Sequence, residues 1–324
     1  MSVVYIVLGV ALLTWAAERF VMGASATANN LGVSPMVIGL TVVGFGTSAP
    51  ELVISAVAAL RGNAGIAMGN AIGSNITNIA LVLGITAMIR PLEVRPETLK
   101  REYPVLLLVS FVTLYLLMDR ELTFADGMIL LGGMVLVMSW MVWLGLQRPA
   151  ADPLLAEYEA EIPENWPMGR AIFWLAAGLV LLPLASRILV RGAVDIALAL
   201  GVNDVVIGLS IVAIGTSLPE LAASVMSAIK REPDLAIGTI IGSNLFNTLG
   251  VLGVAATINP IRAPQLLLER DYSIMLGLTV FLFLLAYGFG GRAGHIHRRD
   301  GALLLVIFFG YLGLVYYTTF HGPL

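Results

Sequence analysis

Residues 32–84 recur at 201–253 with no gap, at a constant offset of 169 positions and with 25 identities in 53. Self-similarity at this level marks a duplication, and a duplicated chain builds two equivalent halves rather than one irregular core. Both copies are strongly apolar. The whole chain is 58% hydrophobic and 12% charged, with a mean hydropathy of +0.92, whereas soluble domains carry roughly 25% charged residues. A soluble enzyme is thereby excluded. The duplicated unit is a set of membrane helices, each needing about 20 apolar residues to span.

Apolar runs and the breakers between them place ten spans near 2–26, 34–60, 65–89, 102–118, 122–146, 170–198, 203–229, 235–258, 270–288 and 301–319. The expected fold is an all-α polytopic membrane protein of ten transmembrane helices. Residues 1–146 form one five-helix repeat, 147–169 a linker carrying Asp152, Glu157, Glu159, Glu161, Glu164 and four prolines, and 170–324 the second repeat. Five spans per half is an odd number, so the second half enters the membrane from the opposite side. The repeats are therefore inverted, a transporter architecture. Met1–Leu13 lacks a basic region and is read as a retained first helix rather than a signal peptide.

Cytoplasmic loops accumulate Lys and Arg. On one side lie Arg90, Arg95, Lys100, Arg101, Arg148, Arg170, Lys230, Arg231, Arg292, Arg298 and Arg299; on the other lie Arg61, Arg120, Arg262 and Arg270. Eleven against four places both termini outside, in a bacterial or archaeal plasma (inner) membrane. The net charge of -3 carries no basic tract, so no nucleic-acid partner is expected. With no cysteine, thiolate metal sites and Cys nucleophiles are absent.

In the middle of the second and seventh spans stand Gly46-Thr47-Ser48-Ala49-Pro50-Glu51 and Gly215-Thr216-Ser217-Leu218-Pro219-Glu220. A carboxylate at the bilayer centre costs about 2.5 kcal/mol or more and marks a functional site. Proline removes an N–H and clashes with the carbonyl four residues back, so Pro50 frees the Gly46 carbonyl and Pro219 that of Gly215. In a membrane such a carbonyl requires a partner, a cation or water among them. Thr47 and Glu51, like Thr216 and Glu220, are four apart and share a helix face. A second repeated motif, Gly73-Ser74-Asn75-Ile76-Thr77-Asn78 and Gly242-Ser243-Asn244-Leu245-Phe246-Asn247, sets Ser74 with Asn78 and Ser243 with Asn247 at the same spacing. Carboxylate, hydroxyl, amide and carbonyl oxygens suit hard cations such as Ca²⁺ and Na⁺.

The other polar residues have plainer readings. The repeated glycines Gly39, Gly69, Gly73 and Gly84, with Gly208, Gly238, Gly242 and Gly253, serve close helix packing. Asn75 and Asn244 are assigned to interhelical hydrogen bonds. Glu18, Arg19, Arg187, Arg191 and Asp195 pair or reach water near helix ends, and His295 and His297 belong to a solvated loop.

At these motifs the sequence resembles the sodium/calcium exchanger family, within the cation/calcium antiporter superfamily, and most closely its compact prokaryotic members. The resemblance spans essentially the full length. It implies ten helices, four ion sites in a central diamond, and alternating access by sliding of the first and sixth helices. It further implies that Glu51 and Glu220 bind Ca²⁺ with the backbone carbonyls of Thr47 and Thr216. The flanking Na⁺ sites would use Thr47, Ser48, Glu51 and Ser243 on one side and Thr216, Ser217, Glu220 and Ser74 on the other, with Asn78 and Asn247 completing the centre. One position departs: where the archaeal and potassium-dependent relatives carry aspartate, this chain has Asn247, so at most two carboxylates face the ions.

The expected function is secondary antiport of Na⁺ against Ca²⁺, electrogenic if three Na⁺ exchange for one Ca²⁺, with no cofactor and with the lipid bilayer as surroundings; a monomer suffices. The alternatives are a Ca²⁺/H⁺ antiporter using the same two glutamates and a passive cation channel. An intramembrane hydrolase lacks an in-span His or Lys base.

Overall fold

The computed structural model describes residues 2–62, 64–94, 96–146, 166–200, 213–287 and 294–321. Most of the acidic linker, Arg95, Arg148, Arg292, and residues 201–212 with Gly201 and Gly208 lie outside the described residues. The chain runs through α1 (Ser2–Leu31), α2 (Pro35–Thr47), α3 (Ala49–Leu60), α4 (64–89), β1 (Leu92–Val94), α5 (Pro96–Leu116), β2 (Glu121–Leu122) and α6 (Phe124–Leu146). It continues with α7 (Met168–Ala199), α8 (Ala213–Thr216), α9 (Leu218–Ile229), α10 (Pro233–Ile258), β3 (Ile261–Arg262), α11 (267–286), β4 (Gly294–Ile296) and α12 (Arg298–His321). Among the described residues six helices are long and apolar enough to cross a membrane, and α2 with α3 makes a seventh, bent by 43°.

The bend follows from the proline. Ser48 sits between α2 and α3 with φ -85° and ψ 6°, and Pro50 opens α3 at a first-turn position where its missing N–H costs nothing. Ser217 repeats this between α8 and α9, with φ -89° and ψ 6° ahead of Pro219. Both breaks therefore come from the same local chemistry.

The core is built on α4 and α10. α10 is buried almost end to end, as a helix apolar on every side should be. It lies so close to α2 that a Cβ on Gly44 would sit 2.8 Å from the Gly242 carbonyl carbon and the Ser243 nitrogen. The periphery differs. Leu136 of α6 is 73% exposed and Val306 of α12 68%, faces suited to lipid tails.

The long helices α1 and α7 pack against each other through small residues: Gly9 meets Leu189, and Gly178 meets Phe20. These are equivalent pairs at the 169-residue offset. The duplication thus continues upstream of residue 32, where sequence divergence hides it. Two short ribbons tie loops of the two halves: β1 pairs antiparallel with β4, and β2 with β3. Arg90 donates to the Ile229 carbonyl at 3.2 Å near one ribbon, and the Ala263 N–H to the Arg120 carbonyl at 2.9 Å beside the other.

Among the described residues four π-helical segments interrupt the helices, at Gly39–Val43, Thr77–Val82, Asn247–Val251 and Leu267–Tyr272. Two of them hold Asn78 and Asn247 at equivalent places. The Asn247 N–H still bonds the Ser243 carbonyl, so the expected i, i+4 relation of Ser243 with Asn247 is kept and the π-helical turn follows it, a feature common at functional sites.

Candidate functional site

The two helix breaks bring both glutamates into the protein interior. Glu51 is 0% exposed and Glu220 1%, each in the first turn of the helix that its proline opens. The carboxylates are close enough to repel one another. Among the described residues neither has a basic partner, and no three His, Cys, Asp or Glu side chains cluster. Two buried carboxylates without counter-ions form an arrangement that a cation would stabilise strongly.

The oxygens around them come from both halves. The Ser48 hydroxyl donates to Glu220 Oε1 at 3.0 Å. Thr47 also stands beside Glu220; its hydroxyl donates to the Val43 carbonyl at 3.0 Å and touches the Ser243 hydroxyl at 3.4 Å. Ser243 in turn donates to the Gly44 carbonyl at 3.3 Å. Around Glu51 stand Thr216 and Ser74. Glu220 is thus approached by hydroxyls of the first half, and Glu51 by one hydroxyl from each half.

Several of these groups are buried and unsatisfied. Both oxygens of Glu51, Oε2 of Glu220, the Ser217 hydroxyl, Oδ1 of Asn78 and both amide atoms of Asn247 have no hydrogen-bond partner. Native interiors leave few such atoms, and a cluster of them at one place calls for a missing ligand. Asn78 Nδ2 donates to Asn244 Oδ1 at 3.1 Å, and Asn75 Nδ2 to the Thr248 hydroxyl at 2.8 Å. Asn75 and Asn244 accordingly make the interhelical bonds expected of them.

Of the two freed carbonyls, one accepts a side-chain hydroxyl. The Ser186 hydroxyl of α7 donates to the Gly215 carbonyl at 2.5 Å. Position 17 on α1, equivalent to Ser186, is Ala17, so the Gly46 carbonyl has no such cap. Sequence reasoning missed Ser186, and also Asn70, whose amide donates to the Glu51 carbonyl at 3.1 Å and to the Ser55 hydroxyl at 3.0 Å. Asn70 lies four residues before Ser74, a spacing that already set it on the same face of α4.

The remaining charges settle at the margins. Glu18 pairs with Lys230 at 2.6 Å rather than with its neighbour Arg19, which lies over the Trp174 ring at 5.6 Å. Arg191 lies over Tyr5 at 5.4 Å. His295, opposite Glu93 in the β1–β4 ribbon, stacks on His297 at 5.9 Å.

A polytopic helical bundle with two uncompensated carboxylates and unpaired hydroxyl and amide groups at its centre is a carrier of hard cations. The chain belongs to the sodium/calcium exchanger protein family, which it matches over residues 1–143 and 170–317. It is 48% identical over 315 residues to the protein named CaxA of Alkalimonas amylolytica, covering 97% of this chain and 98% of that one. The fold superposes on the sodium-calcium exchanger NCX_Mj with a TM-score of 0.82 and 32% identity, over 97% of this chain and 98% of that chain. A more distant match is the Ca²⁺/H⁺ antiporter ChaA of Bacillus subtilis, 26% identical over 241 residues, with 69% and 68% coverage. The protein is a cation antiporter of the membrane, not an enzyme.

Proposed function

We propose that the chain exchanges Na⁺ for Ca²⁺ at one set of midplane sites opened alternately to either side of the membrane. The observation that carries this reading is the burial of Glu51 and Glu220 with three of their four carboxylate oxygens unpartnered. Ca²⁺ neutralises such a pair. Glu51, Glu220 and the carbonyls of Thr47 and Thr216 bind it; Thr47, Ser48, Glu51 and Ser243 on one side and Thr216, Ser217, Glu220 and Ser74 on the other take Na⁺, with Asn78 and Asn247 completing the centre. Three Na⁺ leave one net positive charge on the pair, worth about 2.3 kcal/mol per 100 mV, so exchange at that ratio is electrogenic.

Ten spans in two inverted halves, 1–146 and 170–324 with the linker 147–169 between them, carry this cycle. The loop contacts support that reading. With ten spans, the connections after the third and ninth lie on one side and those after the fourth and eighth on the other. The β1–β4 ribbon joins the first pair and β2–β3 the second. The basic-residue count then places both termini outside. All the site residues come from one chain, so a monomer is sufficient.

The test is radiolabelled Ca²⁺ uptake into proteoliposomes driven by an outward Na⁺ gradient. Glu51→Gln and Glu220→Gln should each abolish it; transport at the wild-type rate in either variant overturns the site. The match to ChaA favours one second reading, Ca²⁺/H⁺ antiport at the same carboxylates. Replacing the Na⁺ gradient with a pH gradient separates the two, because only the coupling ion drives uptake. A passive channel would move Ca²⁺ with neither gradient.

A further inference from the structure

We infer that Asn70 is a positioning residue for Glu51: its amide pins the backbone of α3 and leaves both carboxylate oxygens free for the divalent ion. This rests on the reading of Glu51 as a cation ligand. The observations are local and independent of any family pattern. Asn70 Nδ2 donates to the backbone carbonyl of Glu51 at 3.1 Å and to the Ser55 hydroxyl at 3.0 Å. Ser55, 0% exposed, donates onward to the Ala67 carbonyl at 3.2 Å. One turn of α3 is thus fastened to α4 at the carboxylate itself, through main chain rather than through the ligand atoms.

The second half lacks this device. Position 239, equivalent to 70, is Thr239, and its hydroxyl donates back to the Leu235 carbonyl of its own helix at 2.8 Å. Ser224, equivalent to Ser55 and 0% exposed, has no hydrogen-bond partner. Glu220 is instead held by one of its ligand oxygens, through Ser48 at 3.0 Å. A cation arriving at Glu220 must compete with that hydroxyl. At Glu51 it meets a carboxylate whose backbone is already fixed by Asn70 and whose oxygens have no close hydrogen-bond partner, with Thr216 and Ser74 standing near, which lowers the ordering cost of binding. The two glutamates therefore divide the task, with Glu51 the preorganised ligand.

The experiment measures Na⁺-driven Ca²⁺ uptake against Ca²⁺ concentration, together with the Ca²⁺-induced rise in Tm of the detergent-solubilised protein. Asn70→Leu keeps size and removes the donors; Asn70→Gln keeps the amide. Asn70→Leu should raise the KM for Ca²⁺ about five- to tenfold, the range of one lost hydrogen bond, with maximal rate within about twofold and a smaller Ca²⁺-induced Tm rise. Asn70→Gln should lie closer to wild type, and Thr239→Val should leave KM unchanged. Asn70→Thr, which installs the second half's residue, gives the same KM rise if the leucine variant fails to fold. An unchanged KM in both the Leu and Thr variants, or a fall in maximal rate at constant KM, overturns the inference. Glu51→Gln is run alongside: if it too transports normally, the error lies in the cation-site reading rather than in the role of Asn70.

Discussion

The two halves share a motif yet hold their carboxylates differently. Ser48 donates to Glu220, while its equivalent, Ser217, has no partner and Glu51 accepts no hydrogen bond. This difference involves residues identical in both halves, so the proposed alternating-access cycle would exchange it, with Ser217 reaching Glu51 and Ser48 released. Other differences cannot be exchanged in this way. Asn70 opposes Thr239, Ser186 opposes Ala17, Gly44 opposes Ala213, and Glu18 opposes Arg187. On that proposal the shared residues would carry the cycle, and the unshared ones would bias it toward one access state.

The comparison is broken most directly at the carboxylates. On the proposed site, Glu51→Gln and Glu220→Gln would each remove one of the two charges that a divalent ion neutralises, a loss of roughly 3 kcal/mol or more and so about a hundredfold in exchange rate. If one variant lost only a few-fold, the halves would be unequal in chemistry as well as in positioning. Uptake at saturating Ca²⁺ in both variants decides this.

Next in size is Gly44→Ala. The second half carries alanine at the equivalent position, but in the first half the added carbon would meet the α10 backbone at 2.8 Å. Main chain cannot step aside as a side chain can, so the substitution should lower stability by about 1–3 kcal/mol, read as a lower Tm in detergent. An unchanged Tm would mean that α2 and α10 are not in contact there.

Ser186→Ala converts the second half to the first at one point, leaving the Gly215 carbonyl without its hydroxyl. The expected loss is about 1–2 kcal/mol of stability. Ala17→Ser, offering the Gly46 carbonyl a matching cap, tests whether the asymmetry is needed: a gain in Tm with slowed exchange would show that the absence of a hydroxyl on that carbonyl serves transport. Equal rates in wild type and Ala17→Ser would remove any functional meaning from the difference.

Much of this was legible in the sequence because duplication and scarcity of charge act together. In a chain so apolar, a glutamate after a proline in each repeat has no ordinary explanation, and the structure buries both. The helix breaks were legible because proline chemistry is local. The π-helical segments at Asn78 and Asn247 were not, since their apolar pattern reads as ordinary helix. Ser186 and Asn70 were missed for a different reason. Neither is repeated in the other half, and a search for repeats passes over residues by which the halves differ. The partner of Glu18 was also hidden, because Lys230 lies 212 positions away and only folding brings them together.

That last pair gives the smallest effect and the sharpest test of unshared residues. Glu18 and Lys230 meet at 2.6 Å, with side chains 41% and 36% exposed, joining α1 to the end of α9. The equivalent residues, on α7 and just past the end of α3, are Arg187 and Arg61, two like charges, and no packing as extensive as that between α1 and α9 joins those two helices. An access switch that exchanged the environments of the halves would trade an attraction for a repulsion. At this exposure the pair contributes up to about 1 kcal/mol, so Lys230→Glu should shift the ratio of Ca²⁺ affinities at the two membrane faces by up to about fivefold. Adding Glu18→Lys restores opposite signs and should return the ratio toward wild type. Salt screens exposed charges over about 8 Å at physiological strength, so the shift should shrink as an inert salt is raised. A shift that survived high salt, or one that the charge-swapped double variant failed to reverse, would locate the bias in packing between α1 and α9 instead.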